Sequence, residues 1–67
     1  MLTYALQDEG QPKYYQLYTA IREDILRGEL HPGQKLPSRR ALAEHLHVSV
    51  VTVSGAYEQL VDEGYLA

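Results

Sequence analysis

The sequence contains no cysteine among its 67 residues. Disulfide bonds, thiolate metal ligands and thiolate nucleophiles are therefore excluded. No apolar run approaches the roughly 20 residues that a membrane-spanning helix needs. The N-terminus also lacks the basic, apolar and small-residue order of a secretory signal peptide. We therefore expect a soluble, cytoplasmic protein with no membrane partner.

The chain is short and acidic. A single small domain of this length buries only about 60% of the surface that its unfolded chain exposes. The net charge is −3, which argues against nucleic acid because affinity for phosphate comes from lysine and arginine. The charge is unevenly distributed, however, since Lys35 to Tyr57 contains three cations and one acid, Glu44. We therefore expect the acids to lie mainly outside any surface that this segment offers to nucleic acid. We also expect the isolated chain to bind nucleic acid weakly.

The first part of the chain predicts an arm and a helix. Residues 1–11 show no sustained period and are predicted to form a flexible N-terminal arm. A helix should follow near residues 13–27, because Pro12 suits a first helical position and Gly28 suits a helix stop. The apolar residues that recur at helical spacing in it are Tyr14, Leu17, Tyr18, Ile21 and Ile25.

Two further helices, joined by a tight turn, are predicted downstream. The first should run from about Ser38 to Leu46, and the second from about Val50 to Glu63. Ser38 and Ser49 are expected to be N-caps, because a serine hydroxyl accepts an unpaired backbone N–H of the first turn. A short helix, a tight turn and a longer helix form the pattern of a DNA-binding helix-turn-helix, whose second helix enters the major groove.

A helical wheel assigns two faces to the third helix. The core face, predicted to pack against Leu42, Leu46 and Ile21, consists of Val53, Ala56, Tyr57 and Leu60. The exposed face consists of Val51, Ser54, Gly55 and Glu58, with Val50 at its edge. An exposed Val51 at a helix start has two explanations, which stay open: a surface or subunit contact, or apolar contact with a thymine methyl group.

Three segments occur in order: YYQLYTAIREDILRGELHPGQKLPS, LPSRRALAEHL and VSVVTVSGAYEQLVDEGYL. From about Tyr14 to Ala67 they resemble the head of GntR-type bacterial transcription regulators. The tyrosine-rich start and the AYEQLVDEGYL end are most similar to the MocR-type branch, in which the head joins a large domain similar to a PLP-dependent aminotransferase. The resemblance implies a mostly α, three-helix winged helix-turn-helix fold without enzymatic activity. It also implies sequence-specific binding to double-stranded DNA, with the helix of about 49–63 in the major groove, normally as a homodimer.

The wing of this fold is expected to be incomplete. Pro32-Gly33 has the chemistry of a type II turn, and Lys35-Leu36 is expected to form a brief strand. By resemblance, that strand would pair with a wing hairpin that begins at Tyr65-Leu66. The sequence stops at Ala67, before the glycine-containing wing tip. We therefore expect residues 12–67 to be a DNA-binding domain that lacks its whole wing and its effector domain.

Candidate DNA contacts cluster at the starts of the second and third helices. Arg39 and Arg40 lie in a first turn, where cations and free N–H groups together favour a phosphate. The resemblance implies that Arg40 contacts DNA, whereas an ordinary solvated pair of arginines is the alternative. Ser49 and Thr52 can offer hydroxyls to phosphate, although capping explains Ser49 equally well. The candidate DNA-binding residues are Ser38, Arg39, Arg40, Ser49, Val50, Val51, Thr52 and Ser54.

The sequence departs from the GntR pattern at three positions. Many GntR-type heads have arginine at the position of Val50, and some have a second arginine at that of Ser54. Their absence weakens any bidentate reading of guanine by the third helix, and we interpret it as a branch feature and a specificity difference. The turn position of His47 is usually glycine. We therefore predict a left-handed, mildly strained His47.

Other chemistry has no convincing basis in the sequence. His45 and His47 are two residues apart, so they diverge on a helix, and His31 does not complete a metal set. No catalytic residue, metal or cofactor is expected in this chain, and the PLP of MocR-type proteins would belong to the absent C-terminal domain. The alternative to DNA binding is a helical protein-interaction module that has kept the fold, which the acid excess and the missing arginine at Val50 favour.

Overall fold

The computed structural model describes residues 2–31 and 34–67, so the predicted turn at Pro32-Gly33 lies outside the described residues. Three helices follow one another along the chain: α1 Lys13–Leu26, α2 Arg39–Leu46 and α3 Val50–Asp62. Each lies within its predicted range. Within residues 2–31 and 34–67, no helix is long and apolar enough to cross a membrane.

Serine caps begin α2 and α3, as predicted. The Ser38 hydroxyl accepts the N–H of Ala41 at 3.1 Å, and the Ser49 hydroxyl accepts the N–H of Thr52 at 3.1 Å. Both serines have extended backbones, with ψ values of 158° and 155°. Each cap therefore pairs an N–H that the helix itself leaves without a partner.

Pro12 was predicted to suit the first helical position, but it lies one position before the helix. It is the N-cap of α1, with φ −54° and ψ 148°, and Lys13 is the first helical residue. The Pro12 carbonyl accepts the N–H groups of Tyr15 and Gln16, both at 3.0 Å. The fixed φ of proline is compatible with either position, so sequence alone did not separate them.

All three helices end in the same backbone motif. The residue after the last turn has a positive φ: 82° at Gly28, 59° at His47 and 84° at Gly64. The following N–H returns to a carbonyl of the last turn, and these pairs are Glu29 to Asp24 at 2.8 Å, Val48 to Ala43 at 3.0 Å and Tyr65 to Leu60 at 2.9 Å. This is the Schellman motif, which favours glycine at the left-handed position. The left-handed conformation predicted for His47 is confirmed.

The core lies between α1 and the pair formed by α2 and α3. Its buried residues are Leu17, Tyr18, Ile21, Leu30, Leu42, Ala43, Val53, Ala56, Tyr57 and Leu60. The predicted core face of α3 is therefore confirmed in full. Leu46 is partly buried and packs against the same cluster.

Two buried tyrosines connect the helices through their hydroxyls. The Tyr57 hydroxyl donates to the Pro37 carbonyl at 2.8 Å. The hydroxyl is protonated at neutral pH in any case, and burial raises the pKa of Tyr57, so it remains a donor further into alkaline solution. The Tyr18 hydroxyl on α1 donates to the Glu63 carboxylate just after α3. These bonds satisfy polar atoms at the edge of the core and fix the ends of α2 and α3.

The wheel was wrong at the contact between α1 and α3. Gly55 was predicted on the exposed face, but a Cβ atom at this position would lie 3.4 Å from the Tyr14 Cβ. Tyr14 was predicted in the core stripe, but it is 40% exposed. The reason is that α1 crosses the N-terminal half of α3 on a side that an isolated wheel treats as solvent. Position 55 is therefore covered by the tyrosine side chain of α1, at van der Waals distance, and does not face open solvent.

No strand forms in the part of the chain that the structure describes, so the expected strand at Lys35-Leu36 was wrong, whereas a hairpin that begins at Tyr65-Leu66 stays a prediction. The N–H groups of Tyr65 and Leu66 both donate to the Leu60 carbonyl, at 2.9 and 3.3 Å. These two N–H groups complete the end of α3 and do not donate to Leu36. The side chains of all three residues pack against the core instead.

The described part of the N-terminal arm, residues 2–11, packs against the core through alternate residues, which the sequence interpretation did not predict. Leu2, Tyr4 and Leu6 pack against the core, in alternation with exposed neighbours. The Tyr4 hydroxyl donates to Asp24 on α1 at 2.6 Å. This period of two, typical of an extended segment, was the signal that the sequence interpretation missed. Flexibility of the arm stays a prediction.

Candidate nucleic-acid interface

The first turn of α2 presents two arginines to solvent. Both Arg39 and Arg40 are exposed. Arg39 Nη1 lies 3.1 Å from Glu58 Oε2 on α3 and forms an ion pair with it. Among the described residues, Arg40 has no hydrogen bond or ion pair. One of the two cations is thus compensated within the chain, and the other is open to an external anion.

The first turn of α3 presents valines where a soluble protein usually presents polar groups. Val51 is 80% exposed and Val50 is 42% exposed. Val53, two residues further along, is fully buried. The exposed valines therefore belong to a face that turns away from the core, at a helix start whose backbone carries a partial positive charge.

The hydroxyls near this turn are partly engaged with each other. Ser49 Oγ lies 3.0 Å from Thr52 Oγ1 while it also caps the helix. Thr52 and Ser54 are half-buried, whereas Ser49 is exposed. Ser38 Oγ caps α2. The two serine caps therefore have a sufficient structural role, although a hydroxyl has capacity for a further hydrogen bond.

The candidate residues form two groups, one at each helix start. Ser38, Arg39 and Arg40 belong to α2, and the others belong to α3 or its cap. The bond from the Tyr57 hydroxyl to the Pro37 carbonyl connects α3 to the residue directly before Ser38. The two groups are consequently held in one arrangement by the core and by this hydrogen bond.

The sequence interpretation missed two features of this surface. The first is the partnership of Glu58 with Arg39, whose only sequence signal was opposite charge 19 residues apart. The second is a shallow, mainly apolar groove beside Val51. Its lining residues are Pro12, Lys13, Tyr14, Val51, Thr52 and Gly55. Both features depend on how helices cross, which the spacing within one helix does not reveal.

Metal chemistry has no candidate at this surface. Within the described ranges, no group of three or more histidine, cysteine, aspartate or glutamate residues could hold a metal ion. His45 instead lies 2.8 Å from the Thr3 hydroxyl, measured from Nε2 to Oγ1. This contact joins the arm to the end of α2.

Comparison with known proteins identifies the family to which the chain belongs. The family model described as "Bacterial regulatory proteins, gntR family" matches residues 13–67. The chain belongs to the GntR family. It is 51% identical over 55 residues to the uncharacterized HTH-type transcriptional regulator YdeL of Bacillus subtilis, a match that covers 82% of this chain and 12% of YdeL.

Two further relatives show the same pattern. The mannosyl-D-glycerate transport/metabolism system repressor MngR of Escherichia coli is 48% identical over 56 residues, covering 84% of this chain and 23% of MngR. The probable rhizopine catabolism regulatory protein MocR of Rhizobium meliloti is 43% identical over 60 residues, covering 90% of this chain and 12% of MocR. The GntR head is thus shared by relatives that differ greatly in the rest of their length.

A solved structure supports the fold. YtrA from Sulfolobus acidocaldarius, a GntR-family transcription factor, superposes with a TM-score of 0.81 and is 51% identical, covering 85% of this chain and 61% of YtrA. The predicted mostly α, three-helix winged helix-turn-helix class is confirmed. The relatives named here are regulatory proteins of the GntR family and not enzymes, so the prediction of a non-enzymatic chain is confirmed for this head.

The comparisons do not separate branches of the family. A match of 55 residues that covers 12% of YdeL gives YdeL about 460 residues, whereas 56 residues at 23% give MngR about 240. The identities are nevertheless similar, at 51% and 48%. The head is therefore nearly the same unit in long and short regulators, and it carries little information about the domain that accompanies it.

Proposed function

We propose that this chain binds double-stranded DNA sequence-specifically, as the head of a GntR-type transcription regulator. In this proposal, α3 lies in the major groove and the first turn of α2 lies against the phosphate backbone. The observation that carries it is the exposure of Val51, an apolar side chain that is 80% exposed at the start of α3. An apolar side chain at this place matches the methyl group of thymine.

In this proposal, the start of α2 contacts phosphate and the start of α3 contacts base edges. Arg40 is exposed and has no partner among the described residues, so it is available to a phosphate. Val50 and Val51 face base edges, and because neither position 50 nor position 54 carries arginine, contact with thymine outweighs bidentate reading of guanine. Ser38, Ser49, Thr52 and Ser54 flank these contacts, and their hydroxyls can bond the nearby backbone oxygens.

The intact regulator would be a homodimer on two half-sites, in the cytoplasm of a bacterium. Its accompanying domain would be of the MocR type, with PLP bound there. This assignment rests on the tyrosine-rich start and the AYEQLVDEGYL end, which resemble that branch most, and it is compatible with the length of the relatives at 12% coverage. In this chain, Lys13 pairs with Asp8 at 2.8 Å and Lys35 is exposed. Neither lysine lies in an enclosed site that would suit the cofactor.

A salt titration tests the proposal. The intact protein is titrated against duplex DNA between about 50 and about 200 mM salt, the range over which proteins with several phosphate contacts lose orders of magnitude in affinity. A preferred duplex is selected beforehand from a random pool. We expect binding that weakens steeply with salt and favours the selected duplex. Absence of salt-dependent binding would leave the protein-interaction module as the function of the fold.

Substitution of Arg40 tests the phosphate contact. Arg40→Ala should weaken binding to the selected and the random duplex alike, and should flatten the log–log salt slope by about one unit, because one phosphate contact is lost. The matched control is Arg27→Ala, which removes the same charge at the far end of α1, where Arg27 pairs with Asp24. Identical slopes for Arg40→Ala and the unaltered protein would remove Arg40 from the interface.

A further inference from the structure

An ion pair crosses the proposed interface from one helix to the other. Arg39 lies in the first turn of α2, and Glu58 lies in the C-terminal half of α3. Arg39 Nη1 donates to Glu58 Oε2 at 3.1 Å. The side chains are 46% and 65% exposed, so solvent and a polyanion can both reach the pair.

Glu58 belongs to the same face of α3 as Val51. Seven residues separate them, which at about 100° per residue returns to nearly the same direction, about 10 Å further along the axis. A carboxylate therefore lies on the face that the proposed function turns toward DNA. An acid in this place repels phosphate unless a cation of the protein compensates it.

The pair contributes little to the fold. Exposed ion pairs have small effects on stability, because water screens the charges and the side chains lose freedom. The principal consequence is for the surface charge: Arg39 is compensated and Arg40 is not. The second helix thus presents one available cation, although its sequence contains two adjacent arginines.

We propose that Glu58 is a positioning residue that withholds Arg39 from DNA. This inference rests on the proposed function and deepens it, since it assigns the phosphate contact of this helix start to Arg40 alone. A contact from Arg39 to phosphate would be made to any duplex, whatever its sequence. By holding Arg39 across the two helices, Glu58 lowers the sequence-independent part of the affinity.

The test is a cycle of three variants in the intact protein: Glu58→Gln, Arg39→Ala and the two combined. Each is titrated against a random-sequence duplex over the salt range above. Glu58→Gln should steepen the log–log slope by about one unit, so that its advantage over the unaltered protein grows about 3.5-fold between about 200 and about 50 mM salt. Arg39→Ala should leave the slope unchanged. Glu58→Gln should steepen the slope much less in the Arg39→Ala background than in the unaltered protein, because only direct repulsion by the carboxylate is then relieved.

A matched control separates this effect from a simple change in net charge. Asp62→Asn removes one acid from the same helix, at an exposed position without an ion pair among the described residues. It should not steepen the slope. The unfolding midpoint of each variant, followed by circular dichroism, should equal that of the unaltered protein.

Three results would overturn the inference while the proposed function stands. A flatter slope for Arg39→Ala would mean that Arg39 contacts phosphate in spite of Glu58. An unchanged slope for Glu58→Gln would mean that Arg39 is not withheld. An equal gain from Glu58→Gln with and without Arg39 would mean that the carboxylate acts by direct repulsion and not through Arg39. If the unaltered protein shows no salt-dependent binding, the proposed function fails and this inference fails with it.

Discussion

Two valines on the same helix show how differently the two faces of α3 are used. Val53 is fully buried, whereas Val51, two residues earlier, is 80% exposed. They are chemically identical and lie within one turn, so neither helix propensity nor composition explains the contrast. Position around the helix does: Val53 points to the core, while Val51 points away from it. The buried face determines the fold, and the exposed face remains free for recognition.

The first prediction concerns the buried face and has the largest expected effect. Val53→Ala should lower the free energy of unfolding by about 2 kcal/mol, because the buried methyl groups are lost and a cavity remains. Urea denaturation followed by circular dichroism measures this directly. Val51→Ala is the matched control, and should change stability by less than about 0.5 kcal/mol, as is usual at an exposed position. Equal losses for the two variants would contradict the contrast between the faces.

The exposed face gives the second prediction. Val51→Ala should cost on the order of 1 kcal/mol of binding free energy on the selected duplex, mostly at an A·T pair, because contact with a thymine methyl group is lost. Its salt slope should stay unchanged, since no phosphate contact is involved. Competition between duplexes with single base-pair changes measures both quantities. If selected and random duplexes lose equally, Val51 does not read the sequence.

The third prediction concerns the turn before α3 and has the smallest expected effect. A substitution in this turn should change stability without altering either face of α3. His47 has φ 59°, where a Cβ atom is strained. His47→Gly should therefore raise the free energy of unfolding by a few tenths to about 1 kcal/mol. The matched comparison is Gly64→Ala, which should lower it, because Gly64 occupies the same place in the motif with φ 84°. A loss of stability in His47→Gly would show that chain entropy outweighs the relief of strain.

Local physics explains what the sequence predicted well. The caps Ser38 and Ser49, the left-handed His47 and the buried face of α3 all depend on residues within a few positions of one another. Helix capping, the left-handed residue after a helix and the spacing of buried residues are each determined by neighbours within that range. The family resemblance added the class of protein, which local signals alone leave open.

Contacts between distant segments explain what the sequence predicted badly. The approach of Tyr14 to Gly55 and the pairing of Arg39 with Glu58 join residues that are 41 and 19 positions apart. Their geometry follows from helix crossing, and a wheel drawn for one helix omits the partner. The missing strand at Lys35-Leu36 is a separate case, because a strand needs a pairing partner and the N–H groups of Tyr65 and Leu66 donate locally, to the Leu60 carbonyl.

The hydrogen bond from the Tyr57 hydroxyl to the Pro37 carbonyl, at 2.8 Å, would limit the shapes of DNA that fit the proposed interface. Because it joins the core face of α3 to the residue before the cap of α2, the two helix starts keep a constant separation. In the proposed complex, a duplex would then have to bring a phosphate and a base edge to that separation at the same time. Groove width and bendability, which vary with sequence, would therefore influence selection even at base pairs that no side chain touches.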